Sequence, residues 1–175
     1  MPSFSINCES SMRFFNATHI PDDLLESLIL LGAKRAGANL SGITVEVVLA
    51  QGYSQTGSFF PSNSRIRLRP RLPLPTSREK SYIKRSADYA ERFRAWLTKR
   101  NMLGWAEGLY SVIVHEFTHL ADKQEGLSFS HSKSYRKRPH EIRAYAAGKD
   151  SYEDREGAEE TAILEYACYL EGLQK

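Results

Sequence analysis

The sequence predicts an α+β fold, a small sheet with flanking helices, and three observations carry that prediction. Ile43 to Ala50 is a run of β-branched and apolar residues that reads as a strand. Arg65 to Arg69 alternates charged and apolar residues, the period of a half-exposed strand. Leu109, Val112, Ile113, Phe117 and Leu120 recur at helical spacing, and neither Pro nor Gly interrupts Leu109 to Gln124.

Taken in order, the first element is a helix over about 21–38, with Pro21 and two Asp at its positive end. A strand over 43–50 follows, then a turn-rich stretch from Gly52 to Ser64. The strand 65–69 stops at Pro70 and reads as a sheet edge, with Ile66 and Leu68 facing the core and three arginines facing solvent. Pro70, Pro73 and Pro75 make the next connection. Thr76-Ser77-Arg78-Glu79 is a capping box that starts a helix expected over 77–100. A helix over 105–124 ends at Gly126. Residues 125–137 read as a polar loop, and Pro139 opens a fresh helix reaching Gly148. The last helix is expected over 154–172, acidic in its first turn.

Length and composition frame these elements. A chain of 175 residues predicts one domain, 1–175, with a helical part over about 1–40 and a core over 43–148. No apolar run approaches twenty residues, so no membrane span is expected. Met1 to Arg13 lacks the basic start and apolar stretch of a signal peptide. Cys8 and Cys168 form no scaffold pattern, and Cys168 reads as a buried free thiol. Together these predict a cytoplasmic protein. Net charge is only +3, but residues 65–100 hold twelve Lys or Arg against three acids. That stretch could contact nucleic acid, although a solvated helix face plus a charged strand is the favoured reading.

The chemistry concentrates in His115-Glu116-Phe117-Thr118-His119. Residues four apart on a helix share a face, so both imidazoles can reach one metal ion. Glu116, one residue along, can point at a water beside that ion and take its proton. Two histidines need a third protein ligand. A continued motif would place Gly at 122 and His at 125, where the chain has Asp122 and Glu125. The remaining candidates are His131, His140 and Glu141. On the helix opened by Pro139, Glu141, Ala144, Tyr145 and Gly148 share a face, and Ala144 and Gly148 are small enough to press against the motif helix. His19 reads as an ordinary surface histidine.

H-E-x-x-H on one helix, followed by a Glu that opens a second helix with Ala three residues on, resembles the minimal gluzincin metallopeptidases. The resemblance covers residues 43–148. It implies a zincin-like domain, a Zn2+ ion held by His115, His119 and Glu141, Glu116 as general base, and a polypeptide substrate. It also implies that a sheet-edge strand ahead of the motif helix holds the substrate by backbone pairing. The run His115-Glu116-Phe117-Thr118-His119-Leu120-Ala121-Asp122 is similar to the anthrax-lethal-factor-like branch, where Asp122 would support the site from outside the ligand set. If His131 were the third ligand, the chain would resemble SprT-like proteases. A single-target regulatory protease, as in ImmA-like proteins, and a non-enzymatic module with structural zinc are the alternatives. Tyr135 and Tyr145 are candidates to donate a hydrogen bond to an oxyanion.

Overall fold

The computed structural model describes residues 12–129 and 134–175, which form six α-helices and a four-stranded mixed sheet. The order is β1 (Arg13–Asn16), α1 (Asp22–Ala36), β2 (Thr44–Val47), β3 (Thr56–Phe60), β4 (Arg65–Arg69), α2 (Ser77–Arg85), α3 (Ala87–Thr98), α4 (Met102–Gln124), α5 (Pro139–Asp150) and α6 (Gly157–Gly172). The expected α+β class holds. His131 and Cys8 lie outside the described residues.

The helix ends follow local chemistry. Asp22 and Asp23 sit in the first turn of α1 and Lys34 and Arg35 in its last, and Gly37 closes it at φ 71°. The Thr76–Glu79 capping box is present at α2, and the same Glu79 carboxylate is buried against Arg71 at 2.8 Å. The expected single helix over 77–100 is two. Ser86 adopts extended backbone (φ −145°, ψ 115°) and its hydroxyl caps α3 by accepting from the Tyr89 amide. The motif helix starts at Met102 rather than 105, capped by Asn101.

The sheet order is β1-β2-β4-β3. The β1–β2 and β2–β4 pairs are parallel and β3–β4 is antiparallel. This corrects the expected sheet. Residues 65–69 are not an edge, since β4 is paired on both sides; Ile66 and Leu68 are buried in the core as expected. The edge beside α4 is β3, inside the stretch read as turns. The arginines of β4 are half-buried rather than solvated. Arg65 and Arg67 pair with Glu46 at 3.5 and 2.9 Å, and Arg65 lies over the Phe60 ring. The opposite edge, β1, falls in the part expected to be helical.

Helix α4 is the hub. It packs against α1, α5, α6 and β3. Leu109, Ile113, Phe117 and Leu120 are fully buried, while Val112 is half-buried. The core joins them to Leu28 and Ile29 of α1, Val45 and Val47 of β2, and Ile163 and Tyr166 of α6. On α6 the buried face is Ala162, Ile163, Tyr166, Ala167 and Leu170. Cys168 falls off that face and is exposed, contrary to the expected buried thiol. Among the described residues no helix is long and apolar enough to cross a membrane.

The α1–α4 crossing has no slack at Gly32. A Cβ there would stand 2.5 Å from Ile113 Cγ2. Gly32→Ala should destabilise by about 1–3 kcal/mol through overpacking, although it improves helix propensity. Urea unfolding checks this, and an unchanged or higher midpoint would contradict the packing.

Candidate metal centre and cleft

His115 and His119 come from successive turns of α4, and Glu141 from the first turn of α5. Close contact of the two helices brings them together. A Cβ on Gly148 would stand 2.9 Å from Ser111 Oγ and 3.1 Å from the Ser111 carbonyl, and Ser111 Oγ donates to the Gly148 carbonyl at 2.9 Å. Ala144 is fully buried. The small face read from the sequence is therefore what sets the third donor beside the first two.

Three donor atoms converge. His115 Nε2 and His119 Nε2 are 3.1 Å apart, and Glu141 Oε2 lies 3.4 Å from the first and 3.5 Å from the second. Three donors at 2.0–2.1 Å from a tetrahedral centre would be separated by roughly 3.3–3.4 Å. The spacing thus fits one small cation. Glu141 Oε2 is buried without a hydrogen bond among the described residues, which a cation would remedy. Burial first, and then the His119 charge, lower the His115 pKa to about 4, and burial lowers that of His119 to about 4. Both rings are therefore neutral, the form that ligates metal. The His115 ring also bonds the Ala144 backbone, which fixes its direction. His119 Nδ1 is buried without a partner among the described residues, and its ring is held by Phe129 and His140 instead.

These three residues are the group that could hold a metal among the described residues. His140 stands outside it. It is buried, its Nε2 lies 3.6 Å from Glu141 Oε1, and its ring packs on Phe129 at 4.9 Å. His19 is exposed, as expected. Asp122 is buried and paired with Arg143 at 2.7 Å, which ties the end of α4 to α5.

Glu116 is buried against the edge strand. A Cβ on Gly57 would stand 2.4 Å from Glu116 Cγ and 2.7 Å from its Oε1. Gly57 is therefore the gap into which the carboxylate folds. Burial, and then the Glu141 charge, raise the Glu116 pKa to about 8, opposed by a bond from the Phe59 backbone and by Arg69. Gly57 and Phe59 were missed in the sequence because Gly57 interrupts the strand pattern of Thr56, Phe59 and Phe60.

The two tyrosines differ. Tyr135, on a short 3-10 turn (Tyr135–Lys137), has its pKa raised by burial and then by bonding to Glu141, with smaller effects of Tyr145 and Glu116. Tyr135 is about half exposed and lines two cavities beside Glu116. Tyr145 packs against the His115 ring at 4.7 Å. Two cavities of about 300 Å³ each meet at Glu116 and Tyr135. One is walled by Phe59, Phe129 and His140, the other by Val112, His115 and Tyr145. The Gly57 backbone lines both.

Comparison with protein-family models, with curated protein sequences and with solved structures finds no match.

Proposed function

We propose that this chain is a zinc-dependent endopeptidase with a zincin-like fold. The observation that carries the reading is the set of three donors at tetrahedral spacing with a second, separate carboxylate folded beside them. His115, His119 and Glu141 would hold the metal, two neutral rings and one anion suited to zinc. Zinc in that place would lower the pKa of a water and polarise a carbonyl. A cation there would offset the Glu141 charge that helps raise the Glu116 pKa, so that Glu116 would ionise, take the water proton and pass it to the leaving amine. The Phe59 bond and the Gly57 gap keep its carboxylate in line. Tyr135 is better placed than Tyr145 to donate to the developing oxyanion, since it lines the cavities on both sides of Glu116 and Tyr145 only one of them.

The antiparallel edge β3 offers its unpaired side to an extended peptide, and the two cavities on either side of Glu116 would take successive side chains. The substrate is therefore a polypeptide. The composition and the free Cys168 thiol suit a reducing, cytoplasmic setting.

Digestion of a peptide library by the zinc-loaded protein tests the reading. Cleavage abolished by a chelator and restored by zinc is expected. No cleavage by a protein that demonstrably holds zinc would favour a non-enzymatic module. A second test acts through Gly57. Gly57→Ala should push Glu116 out of line and lower kcat about tenfold or more while zinc content stays, since small misplacements of a reacting group are costly. An unchanged kcat would show that the gap does not position the base.

A further inference from the structure

We propose that the chain carries a second binding site, for a single-stranded polynucleotide, on the outer face of α2 and α3. Tyr53, Tyr89, Arg92, Phe93, Trp96 and Arg100 surround a cavity of about 350 Å³ away from the metal centre. Trp96 is its wall: its ring lies 5.1 Å from Tyr53, 5.5 Å from Phe93 and 5.5 Å from Trp105. Arg71 and Arg100 stand 5.1 and 5.2 Å from the Trp96 ring centre. The hydroxyls of Tyr53 and Tyr89 meet at 3.0 Å across the rim. A cluster serving only as core would be closed, yet Tyr53, Arg92 and Arg100 are exposed.

The charge around the cavity decides the ligand. Arg92 and Arg100 line the cavity itself; Lys80, Lys84, Arg85 and Lys99 are exposed on or just after the two helices and make no ion pair among the described residues, while Arg94 lines a different cavity beside Pro73 and Leu97. Of the three acids there, Glu79 is buried on Arg71 and Asp88 is paired with Arg92, which leaves Glu91. Two arginines lining an aromatic cavity, on helices rich in exposed cations, match a phosphodiester backbone with a base against the aromatic rings. An acidic peptide without apolar side chains, such as polyglutamate, would use the charges but not the aromatic walls. Bases in a duplex are already stacked and cannot enter, so the strand must be single.

Both tryptophans of the chain, Trp96 and Trp105, belong to this cluster, so intrinsic fluorescence reads the site directly. The experiment titrates the zinc-loaded full chain into labelled oligothymidylate and oligouridylate of about twenty nucleotides, with a duplex of equal length as control, at about 50 to 200 mM salt. Single strands should raise anisotropy and quench the tryptophans, more tightly than the duplex and less so as salt rises. The DNA and RNA arms show which backbone is preferred. Tyr53→Ala should weaken binding about tenfold, the effect of one lost stack, with the salt dependence kept. Lys80→Glu with Lys84→Glu should weaken it and flatten the salt dependence. Circular dichroism and zinc content, unchanged in both variants, establish that they fold. Absence of binding at the lowest salt overturns the proposal. So does binding that leaves the tryptophan emission and the Tyr53→Ala affinity unchanged, or that polyglutamate displaces as readily as a single strand does.

Discussion

Glu116→Gln should lower peptide hydrolysis by roughly a hundredfold or more, since positioned general bases contribute on the order of 10²–10⁴. The amide keeps the shape of the side chain, and its oxygen can still accept from the Phe59 backbone, so the Gly57 gap stays filled. What is lost is the ability to take a proton from water. Zinc content and the unfolding midpoint should not fall, because Glu116 is not among the converging donors. The assay is a peptide library digested by wild type and variant, with metal measured on both. A variant that cleaves as fast as wild type would show that Glu116 is not the base.

Glu141→Ala should release the metal. Two imidazoles from one helix make an incomplete site, and the lost carboxylate is the one anion among the three donors. The loss of affinity should exceed the about 10–100-fold that partners outside the ligand set typically cost. His115→Ala and His119→Ala should behave alike. His140→Ala should leave retention nearly intact, since its ring contacts Glu141 from outside the donor group. Metal analysis after dialysis against a weak chelator separates these outcomes. If His131→Ala loses the metal and Glu141→Ala keeps it, a third histidine is the ligand and the SprT-like reading takes over.

The donors were legible in the sequence because their arrangement is local. His115 and His119 share a helix face at any i, i+4 spacing, and Pro139 with Ala144 and Gly148 announced a close-packed second helix carrying Glu141. The capping box at Thr76 was equally local. The edge strand was not. Whether β3 or β4 lies outermost depends on the pairing of β4 with β2, a contact made across about twenty residues of chain that no short pattern encodes. Gly57 then hid β3 altogether, for its missing side chain serves Glu116 rather than the strand. Ser86 was read as helix interior, since the charged residues on either side continue the helical pattern, whereas its hydroxyl caps α3. Cys168 was misplaced because α6 is apolar beyond its buried face, with Leu164 also exposed. Periodicity in such a helix does not say which apolar residue faces out.

The central claim is that His115, His119 and Glu141 form one zinc site. Elemental analysis of the purified full chain, refolded with zinc and dialysed, tests it most directly. The account predicts close to one zinc per chain, lost in Glu141→Ala. A wild-type protein that retains no zinc, or a Glu141→Ala variant that retains as much as wild type, would contradict it.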